Sequence, residues 1–504
     1  MSQKSTKAQD GATTAISFRF DGGLNYAQSP SQIADNELTR AYNIIYNAST
    51  GTPETRPGTV CVTAAALPAP IRKIYYYEKD ATYKWLLAVS GTKLYYLNVN
   101  AWVEIGTDII ASATVTPAFI TYNTYLLIAD GSTNLRKWDG TTLTSLTDGL
   151  NATAMTEIGA RVVINSSVDP DLVTFSGIEN ETMWDTADLT NPAIGLRAGF
   201  GDNMAVNCFG TFGTDLIVSK RGDAEKRIYR INTADVPTNW NVSKLSANNC
   251  AQNAHCMIGA FNNVFFVDTN GFKSIKGVTE YGDLQIEGTG DKVNTAFKDR
   301  TCLEMTYIPM FSAIWYFAGD RIYAYHSIAG KAAFTELNFA QGAINSLIQA
   351  GDVLYLAGAN GYLYKMDGTA ETDEVTPSVF SGYQTLLVTK RYNYPQGGIV
   401  KRTAVEFKPT AITGNTPAYI KAIDAEGAKT LLRTVNVLVE TQELYDATQD
   451  LDIALTSLGA IAGTAWVETS TNRVRGNSLQ FQIDSASGRF GIEGLQAEIA
   501  LVGR

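Results

Sequence analysis

Histidine and cysteine are scarce in this 504-residue chain, which carries two of the first and five of the second. With His255 and His326 as the only imidazoles, a reaction that needs a histidine base has few places to occur. The odd set Cys61, Cys208, Cys250, Cys256 and Cys302 predicts reduced, buried thiols rather than a disulfide framework. No run approaches the ~18 apolar residues of a helical membrane span, and the opening "MSQKSTKAQDGATT" lacks the apolar centre of a signal peptide, so the expectation is a soluble chain made in the cytoplasm. Basic runs are missing as well, none exceeding a pair such as Lys390-Arg391 or Lys401-Arg402. The net charge is −10; residues 381–504 hold 12 Lys+Arg and 12 Asp+Glu, which leaves 28 against 38 upstream. A surface that grips nucleic acid needs clustered cations to displace counterions, and this balance argues against one.

What is abundant is β-forming. There are 25 Tyr, 20 Phe and 43 Gly against 14 Pro, and helical periodicity is hard to find after residue 46. "LRKWDGT" from Leu135 and "LYKMDGT" from Leu363 agree in register, and looser copies begin at Leu94, Leu172, Ile228, Phe272 and Ile322. The seven starts are separated by 41, 37, 56, 44, 50 and 41 residues, about the length of a four-stranded propeller blade. Upstream of most copies an apolar run enters a Gly, Asn or Asp turn, as in "WLLAVSGTK" and "VFFVDTNGF", which reads as a buried strand entering a hairpin. A hairpin repeated in this way buries its faces only by stacking around an axis. The spacing predicts an all-β chain with a propeller of six to eight blades, about seven by repeat count, over residues 62–380; two β-sandwiches are the competing architecture.

Beyond residue 380 alternation becomes stricter. Leu479, Phe481 and Ile483 share one face of "SLQFQID", and residues 381–504 predict a separate β-sandwich-like domain. At the other end, residues 1–14 predict a disordered tail and 15–61 a turn-helix docking segment. Gly22 and Gly23 suit a positive-φ turn, Asp35 offers a helix N-cap, Glu37 stands in the first turn, and Leu38, Ala41, Tyr42 and Ile45 recur at helical spacing as one apolar stripe.

Chemistry-bearing patterns are weak. Cys250, His255 and Cys256 in "CAQNAHC" suggest a metal corner, but no CxxC pair accompanies them. Asp169 and Asp171 in "SVDPDLV", or Glu371, Asp373 and Glu374 in "ETDEV", are carboxylate pairs of the kind a glycosidase uses. Gly288 to Lys292 lacks the spacing of a phosphate loop, "RGD" at Arg221 to Asp223 reads as a hairpin turn, and Tyr75 to Tyr77 read as a packing ladder or a sugar platform.

"FRFDGGLNYAQSPSQIADNELTRAYNI" followed by "ETRPGT" resembles the N-terminal segment of β-propeller tail proteins of tailed bacteriophages. The likeness continues through "GTDLIVSKRGDAEKRIYRI", "VFFVDTNGFKSI" and "FQIDSASGRFGIEGLQAEIALVGR", and so spans nearly the whole chain. It is closest in character to the tail nozzle, or tail tube hub, proteins of short-tailed phages. The resemblance implies a structural virion protein of the tail, assembled in the host cytoplasm as a hexameric ring below the portal and adaptor, beside tail fibres or tailspikes, with double-stranded DNA passing through unbound. It implies no catalysis, cofactor or metal, and gives Gly22, Gly23, Asn25, Asp35, Asn36, Glu37, Arg56 and Gly58 an architectural role, with Leu38 and Tyr42 on the docking face. An acidic channel wall would keep DNA from sticking. The alternative is a phage tail propeller that binds or hydrolyses host surface polysaccharide.

Overall fold

The computed structural model of the chain describes residues 13–501, apart from 107, 132–133, 147–149, 203, 224, 278–283, 298–299, 319–320, 329–330, 409–415, 438–459, 462–464, 470–473 and 487. Among the described residues, seven antiparallel sheets form the blades of a β-propeller. Blade 1 runs through the strands Ile71–Glu78, Lys84–Ser90, Lys93–Asn98 and Ala101–Gly106. Blades 2 to 6 occupy residues 118–145, 155–197, 205–246, 257–287 and 302–337, and blade 7 begins with residues 344–367. Each of the seven repeat motifs falls on the third strand of its blade, from Lys93–Asn98 in blade 1 to Leu363–Asp367 in blade 7. The apolar runs before them are the second strands, covered on both faces by the neighbouring blades.

Successive blades share a core. Tyr77, Leu87 and Val89 of blade 1 meet Leu126, Ile128 and Trp138 of blade 2, and Val163 and Phe175 of blade 3 meet Val218 and Ile231 of blade 4. Each fully buried aliphatic or aromatic side chain of this kind contributes about 1.5–3 kcal/mol of burial free energy, which is what draws unstable hairpins into a ring.

The ring closes on a strand from the other end of the chain. Gly58–Cys61 supplies the fourth strand of blade 7, pairing antiparallel with Leu363–Asp367 from Gly58 opposite Asp367 to Cys61 opposite Tyr364. The segment expected to stop at residue 61 as a docking piece therefore ends inside the propeller. Gly58 is required there, because a Cβ would stand 2.1 Å from the carbonyl oxygen of Thr372. A hairpin, Asp373–Thr376 and Val379–Ser381, adds two strands beyond it.

The expected helix after Asp35 does not form. Leu38–Tyr42 and Ile44–Tyr46 are strands, and they carry the propeller into the C-terminal domain. Leu38–Tyr42 meets blade 6 in parallel at Tyr42 opposite Glu336, and pairs antiparallel with Thr385–Thr389, which in turn pairs with Arg475–Ser485. Helical spacing of the buried positions arises from a bulge between Leu38 and Arg40 and a left-handed Asn43 (φ 55°), which reset the alternation twice. The remainder of the C-terminal domain is sandwich-like, built around the 17-residue strand Tyr392–Lys408, which pairs with Arg475–Ser485 near its start and with Gly491–Leu501 along its second half. Residues 1–12 of the expected tail lie outside the described residues, whereas Thr13 and Thr14 open the strand Thr13–Phe18 on Gly491–Leu501. Helix is confined to the single turn Asn294–Phe297 and two 3-10 turns among the described residues.

Candidate functional site

The residues singled out near the N-terminus converge on one node where blades 5, 6 and 7 meet the C-terminal sheet. Gly23 adopts φ +67°, and a Cβ there would lie 2.5 Å from the backbone nitrogen of Phe334, so blade 6 and the segment touch backbone to backbone. Gly22 N–H donates to Asn36 O at 2.9 Å, and Leu24 N–H to Phe334 O at 2.9 Å. Asn36 Nδ2 donates to Asp21 Oδ1 at 2.8 Å. Asn25 donates its amide to Glu37 Oε2 at 2.7 Å and accepts from the N–H groups of Ala27 and Gln28. Glu37 also accepts from Ala34 N–H at 2.8 Å and from the Lys292 ammonium at 2.7 Å. Burial alone would raise the Glu37 carboxyl, but Lys292, Ala34 and Asn25 together hold it below the usual carboxylate range. Asp35, expected as an N-cap, is exposed and pairs with Lys390 at 2.9 Å. Leu38 is buried in the core shared with blades 5 and 6, while half-buried Tyr42 accepts from Arg40 at 2.9 Å.

Arg56 is the deepest member. It and Asp373 are both 0 % exposed and form a bidentate pair at 2.9 and 2.6 Å. The guanidinium also donates to Asn43 Oδ1, Pro57 O and Asn338 O, and lies between the rings of Phe339 (4.2 Å) and Tyr383 (3.8 Å). Asp373 was a candidate acid; here it is the counter-ion of the N-terminal arginine. Glu374, beside it, accepts from the N–H groups of Cys61 and Ser378 and so fixes the same closure.

The other carboxylate pair is likewise engaged. Asp169 binds Arg197 in a bidentate pair at 2.9 and 2.6 Å. Asp171 binds the fully buried Lys220 at 2.6 Å, and Asp202 binds the same ammonium at 2.7 Å. Burial by itself would raise the Asp171 carboxyl, yet Lys220 and the N–H of Gly201 hold it below the usual range. A general acid in glycoside cleavage needs the opposite shift.

At the propeller axis a vestibule of about 940 Å³ draws its wall from all seven blades, including Arg72, Thr116, Asn207, His255, Glu304 and Asn345. Its amides fasten one blade to the next: Asn207 donates to Ala251 O, Asn253 to Cys302 O and Asn345 to Ile71 O, at 2.7 to 2.9 Å. Arg72 similarly donates to Val115 O of the next blade. Two contacts cross the axis. His255 lies 3.2 Å from Thr116 O on the far side, and Lys73 of blade 1 pairs with Glu304 of blade 6 at 2.7 Å. A carbonyl only accepts, so His255 Nε2 carries a proton; burial, then the charge of Lys73, pushes the pKa of the ring down to about 3, which favours the neutral form. Neither Lys73 nor Glu304 carries a local sequence signal, since each is an ordinary polar residue of an inner strand whose partner lies 231 positions away.

The remaining candidates are spent on packing. Cys250 and Cys256 are buried free thiols, burial pushing Cys250 up to about 11, and no group of three metal-binding side chains occurs among the described residues. Tyr75 stacks on Phe119 and bonds Thr121, and Tyr77 packs on Trp138 and donates to Thr124 O, so both serve the seam between blades 1 and 2. The Gly288 to Lys292 loop receives the N-terminal segment, Lys292 O accepting from Tyr26 and Ala27. Arg221 to Asp223 lie at the vestibule wall, where Arg221 donates to Gln252 O.

No protein-family model and no curated protein matches the chain. Similar solved structures are a virginiamycin B lyase from Staphylococcus aureus (10% identity, TM-score 0.41, 61% of this chain and 97% of that one) and BamB from Moraxella catarrhalis (13%, 0.38, 70% and 97%). A computationally designed protein, Ika8, is also similar (11%, 0.39, 61% and 99%). No residue or activity is transferred from likenesses this distant.

Proposed function

We propose that the chain is a structural subunit of a phage tail, forming with copies of itself the ring-shaped nozzle or hub below portal and adaptor through which DNA is retained and ejected. The observation that carries this reading is the N-terminal node. Of the residues that bear the resemblance, Gly22, Asn25 and Glu37 fold the N-terminal segment on itself and hold Lys292, Gly23 seats it against blade 6, and Arg56 and Gly58 fix the closure of blade 7, which is an architectural use. The axis of the propeller is crossed by His255 with Thr116 and by Lys73 with Glu304, so DNA would run through the lumen between chains rather than through one chain. The acidic balance upstream of residue 381 suits a wall that does not retain a polyanion. Binding or hydrolysis of host polysaccharide has less support, because Asp169, Asp171 and Asp373 are each held by a cation. The test is to delete the chain's gene in its phage and purify the particles. Filled heads that lose DNA and lack the distal tail support the proposal; infectious particles of normal morphology overturn it.

A further inference from the structure

Between blades 3 and 4 a short loop, Ala198-Gly199-Phe200-Gly201-Asp202, presents one aromatic ring to solvent. Phe200 is 77 % exposed and is flanked by two left-handed glycines, Gly199 (φ 69°) and Gly201 (φ 73°). Beneath it lies a costly brace. Lys220, 0 % exposed, donates to Asp171, to Asp202 and to the carbonyl of Ala198 at 2.6 to 2.7 Å, while Asp171 accepts from Gly201 N–H at 2.8 Å. Tyr229 closes the back of the loop by donating to Asp202 Oδ2 at 3.0 Å, and a Cβ on Gly199 would strike its hydroxyl. Burying three charges for a surface loop is a poor route to stability, since apolar residues of the same volume serve that end as well or better; what the cluster secures is geometry. Arg197, neutralised by Asp169, lies 5.2 Å from the Phe200 ring, and Val168, which precedes Asp169 in the chain, is 79 % exposed. The result is a preformed apolar knob, the kind of rigid aromatic anchor that dominates protein interfaces.

The knob stands on an acidic blade. Residues 151–202 hold eight Asp+Glu against two Lys+Arg, and Glu157, Glu179 and Asp185 are exposed. A groove of matching character occurs elsewhere on the same chain. Between the N-terminal segment and the C-terminal sheet, a cleft of about 460 Å³ has an apolar floor of Tyr26, Pro30, Leu386, Val388 and Ile423 among neutral polar side chains, with the exposed cations Arg40 and Lys429 on its wall and no acidic residue in its lining. Arg391 borders it, its N–H donating to Pro30 O and its guanidinium to Gln480. The groove adjoins blade 6, so knob and groove lie on different parts of the propeller ring.

We propose that Phe200 and Val168 of one chain seat in the groove beside Arg40 and Lys429 of a second copy. Two different patches make the contact heterologous, and a heterologous contact propagates head to tail, giving a ring when the rotation between neighbours closes. The acidic blade against the basic groove fixes which patch meets which. This deepens the ring-assembly reading and rests on it only for the biological setting.

The experiment uses the full chain and light scattering over a concentration series. Wild type is expected to form higher oligomers, while Phe200→Asp and the double variant Arg40→Glu/Lys429→Glu, all at exposed positions, each weaken self-association at least tenfold with unchanged thermal unfolding. Mixing the two variants is expected to restore a dimer and nothing larger, since one intact knob then meets one intact groove. A wild type that stays monomeric up to its solubility limit, a Phe200→Asp chain that assembles like wild type, or a mixture without dimer overturns the proposal. The two readings fail separately: a chain found in the tail whose assembly ignores Phe200 removes this contact alone, and a chain that assembles through Phe200 but is dispensable to its phage removes the tail function alone.

Discussion

Arg56 and Asp373 form a bidentate pair, 317 positions apart in sequence, with neither side chain exposed. Their meeting joins the N-terminal segment to the hairpin after blade 7. Removing one partner leaves an uncompensated charge in a dry site, so Arg56→Met or Asp373→Asn is expected to destabilise the chain by about 3–5 kcal/mol, whereas the double replacement costs less than the sum. Urea unfolding of the two single variants and the double variant checks both statements. Additive losses would mean that the pair is incidental to closure.

The backbone approach at Gly23 gives a second expectation. Its positive φ and its 2.5 Å clearance to Phe334 N leave no room for a methyl group, and the obstacle is backbone that does not rotate away. Gly23→Ala is expected to lower the thermal midpoint and to speed hydrogen exchange at Leu24 N–H, which donates to Phe334 O. Unchanged exchange there would show the node to be looser than described.

Acid should act through the two histidines. Burial pushes both His255 and His326 down to about 3, against an ordinary value of 6.5. Between those values the unfolded chain takes up protons that the native chain refuses, so stability is intact above about pH 6.5 and declines as pH falls towards 3. His326, fully buried with its ring 5.3 Å from Tyr46, is the cleaner probe. In His326→Gln the slope of stability against pH over that window is expected to shrink relative to wild type; an unchanged slope would place the acid sensitivity on the carboxylates alone.

Lys220 offers a fourth. Lys220→Met leaves Asp171 and Asp202 without their ammonium, and the Asp171 carboxyl, which Lys220 holds down, should then titrate upward. The variant is expected to be less stable by about 3–5 kcal/mol at neutral pH and to recover part of that loss on mild acidification. A loss independent of pH would indicate that Lys220 contributes packing rather than charge.

The propeller was legible because its third strands repeat a local pattern: Leu94, Leu172, Ile228 and their equivalents each enter a strand with the same turn chemistry. Ring closure was not, since Gly58–Cys61 is four residues long and takes its meaning from Leu363–Asp367, some 300 positions away. The expected helix failed for a local reason, as the bulge after Leu38 and the kink at Asn43 place Leu38, Ala41 and Ile45 inward at a spacing that imitates a helix. Of the candidate site, the glycines and Arg56 stood out through turn chemistry and resemblance. Their partners Phe334, Lys292 and Asp373 come from distant blades, and the contacts that cross the axis, His255 with Thr116 and Lys73 with Glu304, exist only once the ring has formed.

The central proposal, that this chain is built to assemble into a phage tail rather than to catalyse, is tested most directly by an electron cryo-microscopy map of the particle proposed to contain it. The account predicts copies of the seven-bladed propeller arranged as a ring around the tail axis below the portal and adaptor, with the lumen between chains and each propeller axis filled at His255. A tail with no density for the chain, or single propellers placed peripherally like fibres with no contact between copies, would contradict it.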